Sequence, residues 1–227
     1  VRVAIRRALL ASVVAVLPLW VSAAENARSE LDAALRSTPD LNHGAELFRN
    51  CAVCHGSSGQ GSLDGGVARI AGQHVSVIAK QLVDYRHDRR WDIRMEHFAD
   101  QHHLVDSQSI MDVASYIHDL TPDVPPGVGD GQLVEHGSAL FAERCKGCHG
   151  LSGEGSAAKK IPRLAGQHYE YLMRQIYDAV DGRRPNMSRA HVKMFARLDR
   201  NDIVGLSDFL SRLGWRPKPA DAVAAAR

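Results

Sequence analysis

Apolar residues recur along this chain at three- and four-residue intervals, and no stretch sustains a strict alternation. Val77, Ile78, Leu82 and Tyr85 share one face of a segment from about His74 to Arg90, and Leu172, Ile176 and Val180 share one from His168 to about Asp181. Ile110, Val113, Ile117 and Leu120, and further on Ile203, Leu206, Leu210 and Leu213, follow Asp106 and Asp199, residues suited to cap a helix N-terminus. This spacing predicts amphipathic helices, and without period-two alternation the predicted class is all-α. A short helix is predicted near Gly44 and another near Gly137, each followed by a glycine-rich loop, and irregular stretches lead into the two final helices.

The two sets of helices belong to an internal repeat. A shift of 94 residues places Gly56, Ser58, Gly59 and Gly61 on Gly150, Ser152, Gly153 and Gly155, Ala71-Gly72-Gln73-His74 on Ala165-Gly166-Gln167-His168, and Arg89-Arg90 on Arg183-Arg184. The register runs without a gap from Cys51 to about His97 and slips by one residue on either side. A duplicated domain follows. Its two copies are expected at 41–120 and 132–214, joined by a Pro/Gly-rich linker at 121–131. A polar extension at 25–40 and a Pro/Ala-rich tail at 215–227 are expected to be loosely ordered.

The repeat carries the chemistry. Cys51-Ala52-Val53-Cys54-His55 and Cys145-Lys146-Gly147-Cys148-His149 use all four cysteines. In such a motif two thiols one helical turn apart add to the vinyl groups of one haem, and the next residue offers an imidazole to the iron. A four-sulfur zinc site would need about 15–20 residues between the pairs and would leave the histidines without a role. Two covalently attached haem c groups are therefore predicted. Aromatic residues make up only 6% of the chain, so each domain has a thin core that a bound haem would complete.

Arg2, Arg6 and Arg7, the apolar run Ala8 to Val21 and the small residues Ser22 to Ala24 read as a secretory signal peptide over 1–24. The run is short for a bilayer span of about 20 residues, although retention as an anchor, and with it loose membrane association, stays open. Removing the segment leaves 25 basic against 26 acidic side chains, a balance that gives no support to nucleic-acid binding. The expected location is a bacterial periplasm.

Laid out in this way, the chain resembles the diheme cytochrome c₄ family, two class I cytochrome c domains in tandem. The resemblance spans about His43 to Leu213 and rests on the paired haem motifs, on Ile161 to Gln167 with its partner Val67 to Gln73, and on Leu198 to Ile203. It implies proximal ligation by His55 and His149, with the Pro162 carbonyl holding the His149 ring and Ala68 in the equivalent place. It also implies a distal methionine seven residues before Leu198, where this chain has His191; 94 residues earlier stands His97. Both haems are therefore expected to be bis-histidine, closed to small molecules and of lowered potential, with Met95, Met187 and Met194 as rival ligands. Arg90 and Arg184 are candidates for haem propionates. His74, His168, His43 and His136 read as surface or capping groups, and His87, His102, His103 and His118 as solvated. The expected role is an electron carrier, monomeric or dimeric, serving a membrane oxidase or reductase or a periplasmic dehydrogenase. The alternatives are a small diheme oxidoreductase of peroxidase or thiosulfate-dehydrogenase type, or a haem subunit of a larger respiratory complex.

Overall fold

The computed structural model describes residues 18–214, with side chains from Asn26 onward. Most of the expected signal segment and the tail 215–227 lie outside the described residues. The chain forms helices α1 (Pro18–Arg36), α2 (Leu41–His55), α3 (Val75–Arg86), α4 (Ile93–Ala99) and α5 (Ser107–Asp119), then α6 (Val134–Arg144), α7 (Lys146–His149), α8 (Tyr169–Val180), α9 (Arg189–Phe195) and α10 (Arg200–Arg212). Apart from one antiparallel bridge between Ser156 and Ile161, the described residues contain no β-structure. The protein is all-α.

Each domain is built on a crossing of its first and last helices, α2 on α5 and α6 on α10. Glycine makes the crossing close: a Cβ on Gly44 would lie 2.3 Å from the Asp112 carbonyl oxygen, and one on Gly137 would lie 1.9 Å from that of Gly205. The repeated aromatics meet beside the crossings, Phe48 with Tyr116 at 5.4 Å and Phe141 with Phe209 at 5.6 Å between ring centroids. Asp106 and Asp199 cap α5 and α10 as expected, each carboxylate accepting a backbone N–H. Ile110, Val113 and Ile117 in one core and Ile203, Leu206 and Leu210 in the other are buried. Each such side chain contributes about 1.5–3 kcal/mol on leaving water.

Three sequence expectations change. The stretch 25–40 is mostly helical: α1 packs on α3 and α5, burying Ala27 and Ala34 with Leu31 and Leu35 against the first core. These four residues have helical spacing, which their charged neighbours concealed. Short helices α4 and α9 occupy the stretches expected to be irregular. Val180, placed on the apolar face of the middle helix, is 41% exposed, because α8 ends there.

The linker is held by both domains, mostly by the second. Asp208, buried on α10, accepts the N–H groups of Gly129 and Gly131 at 2.9 and 2.8 Å. The Gly127 N–H donates to His168 Nδ1 at 3.0 Å, and Arg69 of the first domain donates to the Val124 carbonyl at 2.7 Å. Buried backbone groups need such partners.

Candidate functional site

Both haem motifs sit at the end of a helix. In the first domain α2 runs through to His55; in the second the helix breaks at Cys145 and resumes as the single turn α7, which contains Gly147, a weak helix former. Cys54 and Cys148 are exposed, while Cys51 and Cys145 pack against the two cores. Burial pushes both inner thiols up to about 11, so they are protonated at neutral pH.

The two motif histidines each meet the backbone carbonyl that the resemblance implies. His55 Nδ1 is 2.8 Å from the Ala68 carbonyl oxygen and His149 Nδ1 is 3.1 Å from that of Pro162. A carbonyl can only accept, so each Nδ1 carries the proton and each Nε2 lone pair is free for iron. Burial lowers the pKa of both rings, which keeps them neutral and able to ligate.

The same two peptide groups reach across to the opposite domain. The N–H paired with the Ala68 carbonyl is that of Arg69, and it donates to Gln167 Oε1 at 2.9 Å while Gln167 Nε2 donates to the Arg69 carbonyl at 2.8 Å. Gln73 makes the mirror-image pair with Arg163, at 2.9 and 3.0 Å. Next to each glutamine a histidine continues the pattern, His74 Nε2 to the Glu154 carbonyl at 2.8 Å and His168 Nε2 to that of Gln60 at 2.6 Å. His74 and His168 are therefore interdomain groups, which corrects their reading as surface or capping residues. His168 is 0% exposed, because its second nitrogen also takes the linker N–H. The partners lie 80 and 108 residues away, too far for a local pattern to show. His43 and His136 instead pair with Asp112 and Asp202 in their own domains, and His87 pairs with Glu30.

On the distal side the domains differ. His191 lies on α9 with its ring centroid 6.2 Å from that of His149 and the planes at 85°. With metal–imidazole bonds of about 2.0 Å and each ring centroid about 1.1 Å behind its nitrogen, two imidazoles facing one metal stand about 6.3 Å apart. The gap therefore fits an iron. His191 Nδ1 is 2.9 Å from the Ser188 hydroxyl, which leaves Nε2 for ligation, and burial followed by the Arg184 charge lowers its pKa.

His97 does not occupy the corresponding place. Its side chain is 63% exposed, and its ring packs on Phe98 and His103 at 5.2 and 4.6 Å. On α4, Ala99 is buried in the first core and Met95 packs, half-buried, against it. Counting from the helix caps explains the difference. Asp92 caps α4 and Ser188 caps α9, so Met95 and His191 are both the third helical residue. Two more residues separate Arg184 from its cap than separate Arg90 from Asp92, and a constant offset of 94 passes over that insertion. Met187 immediately precedes the Ser188 cap and Met194 is in the last turn of α9, both half-buried.

Arg90, buried, and Arg184, half-buried with a buried Nε, lie close together at the domain boundary. Arg90 donates to Gln81, Tyr171 and Gln175 at 2.6–2.7 Å, so its expected role towards a propionate is shared with a protein network. Arg184 has a buried Nε without a hydrogen-bond partner among the described residues, and burial followed by the Arg90 charge pushes its pKa down to about 10. Two adjacent guanidiniums away from bulk solvent, one with an orphaned buried donor, call for an anion. A carboxylate-bearing cofactor fits.

Comparisons with known proteins agree. The family model "Cytochrome c" matches residues 41–121 and again 134–214. Cytochrome c4 of Pseudomonas aeruginosa is 31% identical over 173 residues, covering 72% of this chain and 83% of that protein. The crystal structure of reduced recombinant cytochrome c4 from Pseudomonas stutzeri superimposes with a TM-score of 0.68 at 26% identity, covering 78% of this chain and 100% of that one. The thiosulfate dehydrogenase electron acceptor of Stutzerimonas stutzeri is 26% identical, covering 73% of this chain and 80% of that protein.

Proposed function

The chain belongs to the diheme cytochrome c₄ family, electron-transfer proteins with two covalent haem c groups, and from that premise we propose that it is a periplasmic carrier whose two haems are unlike. His149 and His191 would hold the iron of the second haem, and His55 and Met95 that of the first. The observation that carries this reading is the 6.2 Å between the His149 and His191 rings, set against the outward turn of His97. Haem iron supplies one-electron chemistry, and a thioether ligand raises its potential relative to imidazole. The second domain is then the low-potential end and the first the high-potential end, so electrons enter at the second and leave from the first. No helix among the described residues is long and apolar enough to cross a membrane.

Two protein ligands on each iron would leave no open position for a substrate, which favours a carrier over an enzyme. The likeness to a thiosulfate dehydrogenase electron acceptor supports a dehydrogenase as the donor. The test is the absorption spectrum of the oxidised protein with a redox titration. The weak long-wavelength band of sulfur-ligated ferric haem should have the intensity of one haem, vanish in Met95→Leu, and survive in His191→Leu. Absence of the band from the wild type, or a band of two-haem intensity, would refute the mixed ligation. Carbon monoxide binding without a lag would revive the enzyme reading.

A further inference from the structure

His97 repeats in the sequence yet its side chain is exposed, beside two other groups able to bind a metal. Its Nδ1 is 3.9 Å from Asp100 Oδ2, and His103 Nδ1 is 3.3 Å from Asp100 Oδ1. One ligand atom from each of the three residues lies within 4.8 Å of the others. The loop that follows α4 is three residues longer than the one that follows α9, and His102 and His103 lie in it.

That loop is held from beneath. Arg86, whose side chain is 5% exposed, donates to the carbonyls of Ala99 and Asp100 at 2.7 and 3.5 Å and to that of Leu104. Glu30 of α1 pairs with the same guanidinium. The second domain has Val180 at the place of Arg86 and builds no such support. The Asp100 carboxylate also accepts the N–H of His102 at 2.8 Å and of His103 at 3.3 Å. The backbone is thus held beneath an exposed His97 and a half-buried Asp100 and His103, the arrangement a preorganised metal site needs.

We propose that His97, Asp100 and His103 bind a divalent transition metal ion of the zinc or copper class on the surface of the first domain. Two imidazoles and a carboxylate form the donor set of many three-residue zinc sites, with water in the fourth position. Tetrahedral bonds of about 2.0–2.1 Å place donor atoms about 3.3 Å apart. The His103–Asp100 pair already has that spacing, and a rotation of the exposed His97 side chain supplies the rest. The proposal rests on Met95 rather than His97 being the ligand of the first haem.

The test is calorimetric titration of the oxidised holoprotein with Zn²⁺ at neutral pH, with the haem spectrum recorded on the same samples. The wild type should take up one equivalent at this site. His103→Ala and Asp100→Asn should each weaken binding at least about tenfold, since loss of a direct ligand costs no less than loss of an outer-shell partner. Both variants should leave the sulfur band unchanged. Identical isotherms for wild type and both variants, or no uptake at all, would overturn the metal site alone if the sulfur band is present. If that band is absent and His97→Gln alters the haem spectrum, the ligation reading fails, and the metal site fails with it.

Discussion

Replacing Gln167 should loosen the two domains and disturb the haem of the domain to which Gln167 does not belong. Its amide accepts from Arg69 N–H and donates to the Arg69 carbonyl, at 2.9 and 2.8 Å in a half-buried setting. At about 0.5–1.5 kcal/mol per bond, Gln167→Ala should cost about 1–3 kcal/mol of interdomain stability. Gln73→Ala should cost the same, and because the two clasps share no residue the double variant should cost close to the sum. Gln167→Glu is the sharper test. Glutamate still accepts from Arg69 but cannot donate, and it brings a negative charge against the carbonyl, so at pH 7 it should be at least as harmful as alanine and recover as the carboxyl protonates. The peptide whose N–H Gln167 binds presents the Ala68 carbonyl to His55, so the clasp polarises that carbonyl and strengthens the His55 N–H bond. A more basic ligand favours ferric iron, so losing the clasp should raise the potential of the first haem, and Gln73 variants that of the second. Denaturant unfolding followed at the haem band and by far-ultraviolet dichroism, with a redox titration of each variant, reads both effects. A cost below about 0.5 kcal/mol, or a potential shift in the glutamine's own domain, would refute the crossed arrangement.

His168 is buried with both nitrogens engaged, and its pKa is lowered by burial, outweighing the Gln60 carbonyl that raises it. A folded value below the unfolded 6.5 means that the unfolded chain takes up the proton first. Stability contributed by His168 is therefore present above pH 6.5 and lost as pH falls towards the folded value, at up to about 1.4 kcal/mol per unit. Unfolding measured from pH 7 to 5 should show a shallower slope in His168→Gln than in the wild type, and parallel slopes would contradict this. Gly137→Ala, with its new Cβ 1.9 Å from the Gly205 carbonyl oxygen, should force α6 from α10 and cost about 1–3 kcal/mol in denaturant. An unchanged midpoint would show that the crossing is looser than the structure has it.

The motifs, the repeat and the larger helices were legible in the sequence because each is a local pattern: two thiols one turn apart, apolar residues at helical spacing, an aspartate ahead of α5 and α10. The Gln73–His74 and Gln167–His168 pairs were visible as repeats but not as contacts, since their purpose lies across the domain boundary. Duplication explains them. A surface that docks with a copy of itself by an approximate twofold must present the same residues twice, so repetition outside the haem motif marks the interface as well as the cofactor. The distal ligands show the opposite limit. An offset that serves for attachment and docking fails wherever one copy has gained residues, and the insertion before Ser188 shifts α9 by two positions against α4. The caps Asp92 and Ser188 restore the register, because a side chain that accepts the first free N–H groups fixes where a helix begins. Counted from them, a methionine stands opposite a histidine. Under the proposed ligation, one duplicated fold obtains two ligand sets, and with them a potential difference along the molecule, through two residues inserted ahead of a cap.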